Sequence, residues 1–433
     1  MATTVTGAAA GGPARSSTFR SLANRNYRMY FIGQMTSMAG TFMQSVAQGW
    51  LVLKLTGSGT ALGLVAALQF LPILLFGAMA GVLIDRVDRR RLYVLTQALA
   101  GATALTLGVL TATGLVRLWM IYVLAGMLGL ITVVDQPIKG AIVFDIVGPE
   151  DLTNAVSLNS AMNNMGRIVG PALAGIIIGG FGLAACFLVN AASYVAVIAA
   201  LCLMRPEEMH QTPPQPRTRR QVREGFEVVR ESPELLALLV LGAVFFGVCW
   251  LSDIVFPLMA RFSFHGGAGL YGLFLSVLSL GSIIGALGTA RRVEPDRKLL
   301  VGAGICLGVV IILAASAPTI PLELVALVAM GIAGASFITT MSARIQLQTP
   351  IEVRGRVMAL WMIAAMGTRP FGAPIVGAVG EHFGARYAMG MGGVVVLVVA
   401  LPTWWFLASR GERRDLARRA PTNRALAFRG PAV

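Results

Sequence analysis

Charge is scarce in this chain. Asp, Glu, Lys and Arg make up 13% of 433 residues, about half the share of a soluble domain. Histidine is scarcer, with three residues, and cysteine is limited to four. Cys186, Cys202, Cys249 and Cys306 all lie in apolar runs with no CxxC pair. Neither a disulfide framework nor a zinc site can be drawn from that spacing, and the four read as small core hydrophobes. His210, His265 and His382 fall in expected loops, which argues against a histidine proton relay. HExxH, GxSxG and GxxxxGK[ST] are all missing, so nothing points to metalloprotease, hydrolase or ATPase chemistry.

Apolar residues fill the space. They are 56% of the chain, and the mean hydropathy is +0.74. Such a chain is not disordered. Its fifty glycines lie within apolar runs without a collagen period, as in membrane helices. Hydropathy predicts twelve spans, at about 29–53, 60–84, 92–113, 118–138, 154–178, 183–204, 235–260, 268–290, 299–316, 320–343, 356–379 and 386–408. Helices are the expected form, because each satisfies its own backbone in lipid. The expectation is an all-α membrane protein.

The net charge of +15 could signal nucleic acid, but its distribution argues for topology. With both termini on one side, 29 of the 35 Lys and Arg residues lie on that side. The opposite loops hold only Lys54, Arg117, Arg261 and Arg386, while Arg167 and Arg369 fall inside spans. The positive-inside rule then places residues 1–28 and the basic tail 409–433 in the cytoplasm of an inner-membrane, multi-pass protein. The first apolar run is too long for a cleaved signal and is followed by further spans. The segment 205–234 begins RPEEMHQTPPQPRTRR, a proline-rich charged linker. It continues QVREGFEVVRES, with Val222, Phe226 and Val229 at helical spacing, which predicts a short amphipathic helix on the inner membrane surface.

That linker separates two six-span halves, 29–204 and 235–408, and the halves repeat. Pro149 aligns with Pro350 and Gly166 with Gly367 at an offset of 201. Arg167 aligns with Arg369, Gly175 with Gly377, and Phe181-Gly182 with Phe383-Gly384 at 202. One extra residue therefore sits between Gly367 and Arg369. The fifth span matches the eleventh, six spans later, so the repeat is parallel. Two parallel six-helix halves about the membrane normal are the plan of the major facilitator fold.

Two motifs make the resemblance specific. GVLIDRVDRRRL (81–92) is similar to the loop between the second and third spans of the major facilitator superfamily. Asp85, Arg86, Arg89 and Arg90 match its charged positions, and Asp88 stands where the family has glycine. The resemblance implies a cytoplasmic gating latch; the bland alternative is four inside charges that only fix topology. The matching loop of the second half, RRVEPDRK (291–298), is degenerate. GRIVGPALAG (166–175) resembles the antiporter motif of drug:proton exchangers, carried by Gly166, Gly170, Pro171 and Gly175. Its bland alternative is small-residue helix packing. The stretches 19–65, 147–163, 187–194 and 350–360 resemble the subgroup of enterobactin exporters and macrolide-efflux proteins. That likeness implies a secondary transporter that exports a small amphipathic molecule by alternating access in exchange for protons. A proton-independent facilitator or importer is the alternative within transport, and a polytopic enzyme or receptor the alternative outside it. The expected partners are the substrate, protons and the lipid bilayer, with no nucleic acid, cofactor or metal, and a monomer is complete.

Ionisable groups inside spans are functional candidates, since burying charge in lipid is costly. Asp135 in the fourth span pairs along one face with Lys139, four residues on; a tie to the latch loop and proton transfer both remain open. Asp253 in the seventh span is either a solvated mouth residue or a protonatable cavity carboxylate. Glu323 opens the tenth span and reads as interfacial. Arg167 and Arg369 must face protein or a cavity. Three roles are open to them: capping carbonyls freed by Pro171, Pro370 or Pro374, pairing with an acid such as Asp253, or binding an anionic group on the substrate. Gln34, Gln44, Gln48 and Gln69, with Trp50, Trp250 and Trp361, supply polar and aromatic groups for core or cavity.

Overall fold

The computed structural model describes residues 18–84, 87–210, 221–290, 297–351 and 353–419. Among these, helices dominate and no strand occurs. In the first half, α1 (Arg25–Thr56) starts where the Asn24 side chain accepts from the Tyr27 amide, a side-chain cap for an otherwise orphaned donor. It is followed by α2 (Gly59–Ile84), α3 (Arg89–Ala112), α4 (Leu118–Phe181) and α5 (Leu183–Leu203). The long α4 is two helices, kinked at Gly148 with φ 71°. That left-handed conformation suits glycine, and Pro149 follows it to restart the helix. In the second half, the amphipathic segment forms α6 (Gln221–Glu231), where Val229 is buried and Phe226 exposed. Then come α7 (Pro233–Val244), α8 (Ser252–Leu258), α9 (Ala268–Ala290), α10 (Arg297–Ser316), α11 (Ile320–Gln348), α12 (Arg354–Gly367), α13 (Arg369–His382) and α14 (Ala385–Arg419).

Ten described segments are long and apolar enough to cross a membrane by length and composition. The kinked α4 is one of them and carries two of the expected spans; α1 has the length but is more polar. Each expected span thus falls on a described helix, and two of those helices are interrupted. The seventh runs through α7, a π-helical turn at Phe245–Cys249, non-helical Trp250 and Leu251, and then α8. The eleventh is broken at Thr368 into α12 and α13. Thr368 is the extra residue that the repeat alignment requires. Its hydroxyl donates to the Ala243 carbonyl (2.9 Å) or the Ala364 carbonyl (3.0 Å), and so satisfies backbone at the break.

The halves meet along a seam. At the end of the bundle away from the termini, α2 packs closely on α13, and the second arm of α4 packs on α9. Both contacts are backbone against backbone. A Cβ on Gly377 would lie 2.2 Å from the Gly59 carbonyl oxygen, and one on Gly272 would lie 2.3 Å from that of Pro171. Ser276 on α9 donates to the Ile168 carbonyl at 2.9 Å. Among the described residues, α2 touches α12 only lightly toward the termini. The seam is therefore sealed from its middle to the distal end.

Candidate functional site

Just below the sealed part, the two helix interruptions bring charge to the seam. Asp253 lies in the first turn of α8 and Arg369 in the first turn of α13. Their side chains pair at 2.5 Å and remain 32% and 17% exposed. The Arg369 guanidinium also lies over the Phe70 ring of α2, 4.4 Å from its centroid. One arginine thus joins an acid of its own half to an aromatic of the other. Arg167 approaches from the opposite side, over the Phe42 ring of α1 at 5.6 Å. It is near enough to Arg369 for the two cations to repel. Gly166 and Gly170 pack against Met38, Ala39 and Phe42, and Pro171 and Gly175 against Gly272 and Gly269. The motif glycines therefore set the helix spacing that leaves Arg167 in the seam.

Asp135 occupies a different place, inside the first half. It pairs with Lys139 at 2.8 Å and accepts from Thr96 (3.1 Å) and Gln97 (2.5 Å). Its partners lie on α3 and α4, with no latch-loop residue among those described. Gln34 donates to Tyr93, and Gln44 accepts from Asn190 at 2.6 Å, so these glutamines serve packing within the half. Trp361 packs against Gly242 and Trp250 against Gly334, which places both in the core of the second half.

Glu323 is a correction: it opens α11, but it is fully buried, with both carboxylate oxygens lacking a partner. His382 is another, being the last residue of α13 rather than part of a loop.

At the terminus-bearing end, Asp85 and Arg86 lie outside the described residues. The other charged residues of this loop are described. Asp88 caps α3 by accepting from the Arg91 amide at 3.0 Å, so the acid that replaces the family glycine starts a helix. Arg90 donates to the carbonyls of Leu201 (2.9 Å) and Cys202 (3.0 Å) at the end of α5, where helix carbonyls attract a cation. Arg89 pairs with Asp145 on α4 at 3.0 Å. Sequence reasoning missed Asp145 because it ended the fourth span at residue 138, whereas the first arm of α4 runs on to the kink at Gly148. The available signal was an isolated acid in the apolar run AIVFDIV. We expect Asp145→Asn to slow transport several-fold while shifting equilibrium ligand binding by less than about threefold. Stopped-flow transport and a binding titration on the same preparation check this, and an unchanged turnover would remove the latch role.

At the distal end, Glu381 of α13 reaches across the seam. It accepts from the Ser58 hydroxyl at 2.6 Å and the Thr60 amide at 2.9 Å, capping α2 from the other half.

A family described as "Transmembrane secretion effector" matches residues 16–429. The chain belongs to that family of major facilitator transporters. It is 28% identical to the multidrug efflux pump Tap of Mycolicibacterium fortuitum, over 80% of this chain and 88% of the relative. It is 22% identical to macrolide efflux protein A of Streptococcus pyogenes, over 85% and 93%. It is 24% identical to the enterobactin exporter EntS of Salmonella choleraesuis, over 92% and 95%. Among solved structures, an inward-facing bacterial homologue of the human lysosomal transporter Spinster superposes with a TM-score of 0.70. It is 16% identical, and the match covers 93% of this chain and 99% of that one. An inward-facing bacterial homologue of ferroportin gives 0.65 at 15% identity, over 87% and 98%. The chain is thus a multi-pass secondary transporter of the major facilitator fold, and its efflux relatives point away from an enzyme.

Proposed function

We propose that this transporter exports a small amphipathic molecule across the plasma (inner) membrane in exchange for protons, with both termini in the cytoplasm. The observation that carries this reading is the Asp253–Arg369 pair on the seam. With the halves sealed distally and looser toward the termini, this is the inward-facing state of an alternating-access cycle. Rocking the halves must part Arg369 from Phe70 or from Asp253. A proton on Asp253 discharges the pair and lowers the cost of that step. Asp135 is a poorer carrier, since Lys139, Thr96 and Gln97 hold its carboxylate within one half. The names of the relatives favour export.

The test uses the full chain in proteoliposomes, with an imposed pH gradient and a panel of cationic, neutral and anionic amphiphiles. At least one compound should move uphill against the proton flux, and an uncoupler should abolish that movement at once. Uncoupler-insensitive transport that only equilibrates the compound would make the protein a facilitator.

A further inference from the structure

The seam holds more positive charge than it pairs. Asp253 satisfies one edge of Arg369, but the buried Nε of Arg369 has no hydrogen-bond partner. Arg167 is exposed. Among the described residues no carboxylate or carbonyl engages its guanidinium, whose described contacts are the Phe42 face and repulsion from Arg369. Arg167 also precedes Pro171 and Gly175 by four and eight residues, so it shares their face of α4. That face meets α9 of the other half at Gly272 and Gly269. Arg167 therefore points along the seam, just below the level at which Ser276 and the Ile168 carbonyl close it.

The structural roles open to such an arginine fail here. Pro171 leaves the carbonyl of residue 167 without its helical donor, but the guanidinium bonds no carbonyl. Ser276, not Arg167, takes the neighbouring Ile168 carbonyl. A topology signal belongs at a helix end, and this arginine is mid-span. An uncompensated cation at that depth is costly, and the cost falls when a counter-anion arrives. We propose that Arg167, beside Arg369, is the anion subsite of the transport path, and that the cargo class is an amphipathic organic acid bearing a carboxylate. The planar fork of Arg167 would take the carboxylate bidentately. The apolar body would lie along Met38 and Phe42, which line the adjoining face of α1. This rests on the seam being the transport path, and it specifies the chemistry that the path selects.

Equilibrium binding tests this without any gradient, so it stands or falls separately from proton coupling. The probes are dansylglycine, an aromatic carboxylate, and its uncharged amide, titrated by fluorescence onto purified full-length protein. Wild type should bind the acid at least about tenfold more tightly than the amide. Arg167→Ala should erase that preference by weakening the acid about tenfold, with the amide within twofold. Arg167→Lys, which keeps the charge but not the fork, should fall between them. Equal affinities in wild type, which needs no variant to fold, would overturn the proposal. So would equal losses for both probes in a monodisperse Arg167→Ala. If the preference is present but no compound of the transport panel is driven uphill, the antiport reading fails and this one survives.

Discussion

Gly377→Val abolishes most transport, by about fivefold to a hundredfold, and leaves the protein folded but unable to close its distal end. The physical cause is local. The Gly377 and Gly59 backbones touch, and a Cβ at 377 would stand 2.2 Å from a carbonyl oxygen rather than from a movable side chain. Neither helix can yield by changing a rotamer, so α13 must move away from α2. Overpacking of this kind costs about 1–3 kcal/mol, and every 1.4 kcal/mol changes a two-state ratio tenfold. The strain falls only on the state in which the helices are in contact, so it shifts the cycle instead of unfolding either half. The shift can be read by thiol labelling of Ser58→Cys, beside the Glu381 bond, in a background in which the exposed Cys202 and Cys306 are serine. Labelling should speed up several-fold in the Gly377→Val variant. Gly179→Ala is the control, because a Cβ there meets nothing within 4 Å, and alanine is the better helix former. Full transport by Gly377→Val would show that the α2–α13 contact is not part of the cycle.

The contrast between Gly377 and Gly179 shows what sequence could and could not supply. Span positions, the two halves and their parallel repeat follow from hydropathy and from paired residues such as Gly175 and Gly377, because both properties are local in the chain. Even the break in the eleventh span was present in the alignment, as the extra residue Thr368. What touches what across the seam was not legible. Gly377 and Gly179 look alike as letters, yet only one has a carbonyl of the other half against it. The same limit hid Asp145, whose importance depends on Arg89 being folded onto it from another helix. It also made Asp135 and Asp253 look equivalent. They differ in three dimensions: one is held by three donors inside a half, the other faces a single arginine on the seam.

That difference decides the second large effect. Asp253→Asn should eliminate proton-driven accumulation, reducing the steady-state gradient to about unity, while substrate exchange without a gradient continues at a substantial rate. Asparagine keeps an oxygen that can accept from Arg369, so the loss of a charge-assisted hydrogen bond costs about 1–2 kcal/mol. Partial exposure of both side chains lowers that cost further. The variant should therefore fold, and the exchange assay verifies it. What it cannot do is change charge. In the wild type, a proton arriving at Asp253 converts an ion pair into a neutral acid beside a free guanidinium, and the reverse step restores the attraction. With a permanently neutral residue, the membrane potential and pH gradient have no group at this position to act on. Asp135→Asn makes the opposite comparison. It leaves half-buried Lys139 without its acid, so it should lower the yield of folded protein, and the molecules that do fold should remain coupled. Uphill accumulation by Asp253→Asn, alongside uncoupled transport by folded Asp135→Asn, would assign the proton to the interior of the first half instead of the seam.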